Sequence, residues 1–282
     1  MNASEIDSLR GWIGRSERCS DVVTDRLVLS LRSTLDLGWT PAADTPTLPV
    51  ALHWCLAPQI EPRGSLGSDG HPRRGGFLPP VSLTRRMWAA SQVHLVDELR
   101  IGDVVERASR VVDVSMKSGR AGLLCFVVVQ HEWATARGLA VQERQDIVYA
   151  DTRPSTAAAE SPPPIAAAGV WQREIRTDPV LLFRYSALTF NAHRIHYDHD
   201  YCRTQEGYAG LIVHGPLQAT YALELARVIR AGRTPRNFTF RATSPLIESG
   251  HFVLHAIDSD DGLKLWVQGA DGRQTMSATA TW

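Results

Sequence analysis

The chain has 282 residues, enough for one large domain or two of ordinary size. Hydrophobic residues make up 44% and charged residues 21%, as in an ordinary globular protein, and 30 Lys+Arg balance 30 Asp+Glu. That balance argues against nucleic acid as a partner, no apolar run is long enough to span a bilayer, and four scattered cysteines without a CxxC pair suit reduced thiols in a cytoplasmic protein.

In chain order, Ser4-Glu5-Ile6-Asp7 predicts a first helix capped by Ser4, with acids in its first turn. Val22–Leu35 and Thr47–Leu56 carry helix-spaced apolar residues and read as two further helices. Gly64–Pro80 is a Gly/Pro-rich loop. Arg73 and Arg74 beside Gly75 and Gly76 suit a phosphate contact on the substrate, and a solvated surface loop is the plainer alternative.

From Arg85 the pattern turns to strands. Arg86–Val96, Val104–Met116, Leu123–Trp133 and Leu139–Ala150 are separated by turn residues and predict an antiparallel meander. Asp151–Gly169, rich in Pro, Ala and Ser, reads as a linker. The expected division is therefore residues 1–150, a linker at 151–169, and a second domain at 170–282.

In the second domain, Val180–Ala187 reads as extended and Asn191–Tyr208 as polar loop. Gly215–Arg230 reads as a helix with Pro216 in its first turn. Phe238–Ala242, His251–Ile257, Leu263–Gln268 and Thr275–Trp282 are strands. Each half thus places a helix before a meander, and the expected class is α+β, an antiparallel sheet wrapped around a central helix, twice.

Four of the ten histidines, His193, His196, His199 and His214, fall between residues 193 and 214. A metal site from His193, His196, Asp198 and His199 lacks HExxH order and any Cys partner, so no metal is expected. There is no GxSxG elbow, and Cys202 near His199 is a thin case for a Cys nucleophile. General acid–base chemistry fits better. His196 can move a proton near neutrality, Asn191 can orient a water or carbonyl, and Gly215 at a helix start offers a bare N–H to a developing oxyanion. That set suits addition or removal of water beside a thioester carbonyl.

Asn191-Ala192-His193-Arg194-Ile195-His196-Tyr197-Asp198 and His214-Gly215 resemble the two signatures of the hotdog-fold MaoC / R-specific enoyl-CoA hydratase superfamily. That family carries D-x-N-P-x-H-x-D and then H-G at the start of its central helix. Thr189–Ala219 is most similar to the branch of type 2 hydroxyacyl-thioester dehydratases and mesaconyl-C4-CoA hydratases, and Leu66–Pro80 resembles it more loosely.

The resemblance implies a double hotdog with a degenerate first unit and an active site built mainly by the second. It implies reversible hydration of a 2-enoyl thioester, with coenzyme A as part of the substrate and no redox or metal cofactor. The family's catalytic His falls on His196 and its oxyanion-donating Gly on Gly215. Its catalytic Asp falls on Asn191, a departure, since an amide cannot transfer protons as a carboxylate does.

Asp198 and Glu206 are the nearby carboxylates, with capping of loop N–H groups the alternative for Asp198. Arg184 and Arg194 could clamp the free carboxylate of a dicarboxylic acyl group, or could simply pair with Asp198 or Glu206. Tyr197 and His214 complete the expected substrate-binding set. A non-catalytic acyl-CoA binder and a hotdog thioesterase are the rival readings, and a homodimer is left open.

Overall fold

A computed structural model describes residues 3–39, 48–119, 122–151 and 171–282. Ten strands form one antiparallel sheet. In sequence they are β1 (Ser16–Val22), β2 (Arg85–Leu95), β3 (Val104–Gly119), β4 (Gly122–Thr135), β5 (Gly138–Ala150), β6 (Trp171–Arg176), β7 (Asn237–Ala242), β8 (His251–Ser259), β9 (Gly262–Gly269) and β10 (Gln274–Thr281). Their spatial order is β1-β3-β4-β5-β2-β7-β10-β9-β8-β6. Strands from residues 16–150 thus make one side of the sheet and strands from 171–281 the other. Five register pairs, Ala90–His94 against Asn237–Arg241, join the two sides. The stretch 152–170, which contains almost all of the expected linker, lies outside the described residues.

The long helix on the second side is α5 (Gly215–Ile229). Every residue from Leu217 to Arg227 is buried, so it is a core helix rather than a surface one. Its two interior charges are paired: Arg227 donates to Glu224 at 2.7 Å, and Glu224 also accepts the Val50 N–H at 2.8 Å. Around α5 pack Phe238, Phe252, Leu254, Leu265, Val267 and Met276 from the strands, all nearly inaccessible to water. Burying apolar side chains of that size contributes about 1.5–3 kcal/mol each.

The first side is covered differently. Alpha-helix α1 (Ala3–Arg10) packs Leu9 with Val111, Val127 and Tyr149. Helix α2 (Asp25–Leu35) begins after Thr24, whose Oγ1 accepts the Leu27 N–H at 3.2 Å, and buries Leu27, Val28, Leu31 and Leu35.

The chain departs from the expected elements at several places. Ser4 lies inside α1 instead of capping it. Val22 belongs to β1, so the second helix starts three residues later than expected. Thr47–Leu56 is not a helix: only a 3-10 turn forms, over Leu52–Cys55, and Thr47 is not among the described residues. Pro49 offers no N–H and the Val50 N–H is taken by Glu224, so a short helix has too few bonds to nucleate. Val180–Ala187, expected as extended, lies in α3 (Pro179–Leu188). Asp178 accepts the Leu181 N–H at 2.7 Å, and Pro179 follows it, a helix-start pattern stronger than the apolar run.

Candidate active site

The segment between α3 and α5 is a polar stretch with short helical turns rather than plain loop. A 3-10 turn covers Arg194–His196, one α-helical turn, α4, covers His199–Tyr201, and a π-turn covers Cys202–Glu206. Asn191 sets its entry. The Asn191 side-chain oxygen accepts the His193 N–H at 3.0 Å, a local turn typical of Asn. That leaves only its NH2 group available to anything else.

His196 is 6% exposed, and its Nδ1 lies 2.7 Å from the Ile212 carbonyl oxygen. A carbonyl only accepts, so the proton sits on Nδ1 and Nε2 carries a free lone pair. Burial pushes the His196 imidazole down to about 3, with the Ile212 bond opposing, so it is neutral at pH 7. Its ring stacks on His214 with centroids 3.6 Å apart. His214 is fully buried and anchored through Nε2 to the Ser186 hydroxyl of α3 at 2.8 Å. Next along the chain, Gly215 opens α5. Its N–H, at the positive end of a fifteen-residue helix, has no backbone acceptor among the described residues. A lone pair, a helix-start donor and a wall of neutral imidazoles therefore meet at one place. They can accept a proton and stabilise an oxyanion.

The first side of the molecule reaches this place through the Gly64–Pro80 loop. The Arg194 N–H donates to the Asp69 carbonyl at 2.9 Å, and the Arg194 guanidinium to the Ser68 carbonyl at 3.1 Å. Gly70, at φ +91°, is so close that a Cβ there would sit 1.9 Å from the Ala192 oxygen. This brings His71 against His193, ring centroids 4.1 Å apart, and His193 lies 5.5 Å from His196. His71 Nδ1 is 2.9 Å from the Asp69 carboxylate. Burial and the positive charge of Arg86 push His71 down to about 4 against the pull of Asp69. Burial works against ionisation of Asp69 as well, but its bond and charge interaction with His71 hold it low, at about 2.

The remaining expected site residues are placed as follows. Arg194 donates to Asp198 at 2.7 Å and lies over Tyr201, so it is engaged within its own segment. Asp198 accepts the Tyr201 N–H at 2.9 Å, and that bond together with Arg194 holds its carboxyl below the usual range. Tyr197 is half exposed and donates to the Ala192 carbonyl at 3.1 Å. Arg184 is exposed on α3. Arg74 points inward and donates to the carbonyls of Val81, Leu83 and Thr84, closing its own loop. Arg73 is exposed and donates to the Leu66 carbonyl at 3.2 Å. Glu206 pairs with Arg85. Cys202 is fully buried, donates to the Gly210 carbonyl, and is pushed up to about 11 by burial, so it is not a nucleophile.

Asp69, His71 and Ser186 were not anticipated. The Asp-Gly-His triplet in a glycine-bounded loop was the only local signal. Asp69, His71 and His193 also form a set of three potential metal ligands whose donor atoms lie within 4.8 Å of one another, unlike the set drawn from residues 193–199.

A continuous antiparallel sheet with a buried central helix on one side, and the site at that helix's N-terminus, is the double hotdog of the MaoC-like dehydratases. Solved structures share it. A MaoC-like dehydratase superposes with a TM-score of 0.70 at 12% identity, over 97% of this chain and 99% of that one. A double-hotdog protein of Mycobacterium tuberculosis superposes with a TM-score of 0.59 at 13% identity, over 98% and 96%. The sequence pattern of the family "Hydroxyacyl-thioester dehydratase type 2" matches residues 51–248, and the chain belongs to that family. Among its relatives, the mesaconyl-C(4)-CoA hydratase of Chloroflexus aurantiacus is 42% identical over 95% of both chains. No helix of the described residues is long and apolar enough to cross a membrane.

Proposed function

We propose that this protein is a hydro-lyase acting on 2-enoyl-CoA thioesters, adding water across C2=C3 and removing it in reverse. The preferred acyl group is a C4 dicarboxylic one such as mesaconyl-C4-CoA. The observation that carries the reading is the Nε2 lone pair of His196 beside a Gly215 N–H that has no backbone acceptor among the described residues. The thioester oxygen takes the Gly215 N–H, which draws electron density from C3 and stabilises the enolate at C2. His196 presents its lone pair to the water that attacks C3, as base in hydration and as acid in dehydration. The Asn191 NH2 orients that water. The relative's 42% identity supports the C4 dicarboxylic substrate.

A free acyl carboxylate needs a cation. Arg194 is already paired with Asp198, whereas the charge of Arg86 is felt by both His71 and His193. A cytoplasmic setting is supported by four free cysteines.

The test is incubation with mesaconyl-C4-CoA and crotonyl-CoA, following loss of the conjugated thioester absorbance and release of CoA thiol in parallel. Loss of absorbance without thiol, faster on the dicarboxylic ester, is the expected result. Thiol release would make the protein a thioesterase, and binding with neither change would make it a non-catalytic acyl-CoA binder.

A further inference from the structure

His196 alone leaves a difficulty. When a water gives up its proton, some group must carry a positive charge until C2 receives a proton. The His196 Nδ1 is bonded to a neutral carbonyl, and its ring stacks on a neutral histidine. No carboxylate among the described residues stands behind it. In the family pattern a carboxylate occupies position 191, and here that residue is Asn191 with its oxygen already bonded to the His193 N–H.

Among the described residues, a carboxylate backs only His71 of this site's histidines. Asp69 only accepts when ionised, so the His71 proton sits on Nδ1 and its Nε2 carries a lone pair, just as at His196. The arrangement is that of a carboxylate orienting a histidine base. It is also built into place rather than left on a free loop. The Asp69 carboxylate accepts its neighbour's backbone as well, the His71 N–H at 3.0 Å. The Asp69 carbonyl is tied to Arg194, and Gly70 lies against Ala192.

We infer that His71, oriented by Asp69, is a second proton-transferring residue of the site and takes over the task of the carboxylate missing at position 191. The inference rests on the hydratase reading. In hydration the water oxygen bonds to C3 while the π electrons of C2=C3 move onto C2 and the thioester oxygen. His196 Nε2 takes one proton of that water and passes it through His193, whose ring lies against both neighbours, to His71 Nε2. The resulting imidazolium is neutralised by Asp69. His71 then gives that proton to C2, the enolate electrons become the C2–H bond, and both histidines return to their starting forms. No oxidant, reductant or metal enters the balance.

The experiment compares wild type, His71→Gln, His71→Ala, Asp69→Asn and His196→Ala on mesaconyl-C4-CoA, with folding checked by thermal melts. His71→Gln should lower kcat by about 100-fold or more while KM changes by less than about threefold. Added imidazole should restore part of the activity of His71→Ala, a rescue that a purely structural residue would not show. Nitrogen-15 spectra of the ligand-free protein should place the His71 proton on Nδ1 and lose that signature in Asp69→Asn.

Near-normal kcat in His71→Gln would overturn the proposal while leaving the hydratase reading intact, as would a loss without imidazole rescue. A stoichiometric divalent ion in wild type, lost together with activity in His71→Ala and on chelation, would also overturn it in favour of a cation held by Asp69, His71 and His193. Wild type that hydrates none of the esters would sink both readings.

Discussion

Beneath β7–β10 lies α5, fifteen residues long and buried on nearly every side. Beneath β2–β5 the described residues hold no such helix. A single 3-10 turn, Leu52–Cys55, holds Trp54 against Glu143 at 2.9 Å, with His53, Ser91 and His131 buried around it. The two sides show the same strand plan with different contents. One keeps the helix whose N-terminus makes a site. The other fills the corresponding space with aromatic rings and a few polar groups, and sends the loop at residues 64–80 against residues 192–194. A second copy of a fold without such a helix can thus still bring a loop to the site of the first.

The largest expected effect sharpens that division. His196→Ala on the α5 side should cost about 10³-fold in kcat, within the range for a lost general base, in a turnover assay. If the first side supplied the chemistry alone, the loss would be tenfold or less.

Next comes the seam between the sides. Gly70→Ala puts a Cβ on the Ala192 oxygen at a backbone angle L-residues rarely adopt, and should cost about 2 kcal/mol or more of stability along with most activity. Gly138→Ala, also at positive φ but with open space around it, is the control and should cost about 1 kcal/mol with activity retained. Equal loss of activity in both would mean that the loop contact does not matter to the site.

A third prediction uses pH. Burial lowers His53, His131 and His196 to about 3 and His71 to about 4. Each binds a proton more readily unfolded, so stability falls as pH drops below about 6.5, by up to about 1.4 kcal/mol per pH unit for each histidine. Glu143 runs the other way. Burial raises it to about 7, so the folded form keeps its proton after the unfolded form has lost it. Its contribution therefore fades as pH rises from about 4.5 to 7, by no more than about 3 kcal/mol. Glu143→Gln should flatten that alkaline-side loss in denaturant titrations at pH 5 and 8, leaving the acid-side loss in place. For activity, kcat should stay level down to about pH 5, well below the usual histidine range, because both bases are already neutral.

The smallest effect belongs to Arg194→Ala. Its pair with Asp198 is partly exposed, so the stability loss should be about 1 kcal/mol or less. Crotonyl-CoA and mesaconyl-C4-CoA should lose activity equally, whereas Arg86→Ala should weaken only the dicarboxylic ester.

Much of this was legible in sequence, for physical reasons. The strands β2–β5 and β7–β10 alternate and are punctuated by Gly-containing turns. Pro216 and the apolar run after it announce α5. His196 and Gly215 stand in local patterns. The edge strands were not legible: β1 reads SERCSDV and β6 WQREIR, too polar to announce a strand. In α3 an apolar run hid the Asp178-Pro179 start signal. Arg74 looked like a ligand donor because sequence shows a charge but not the three carbonyls it turns towards. Asp69 and His71 stand more than 120 residues before His196, and only the folded loop brings them to it.

The join between β2 and β7 acts as a ruler. It begins at Ala90, just past the bulge that β2 forms against β5 after Trp88, and it fixes how far the residue 64–80 loop lies from α5. A two-residue slip along that seam would move one half past the other by roughly 7 Å, more than the 4.1 Å between His71 and His193. Fusing the halves into one sheet therefore does more than hold them together: five paired residues set the alignment tolerance of the catalytic machinery, and deletions in β2 or β7 would misalign a site whose parts were all still present.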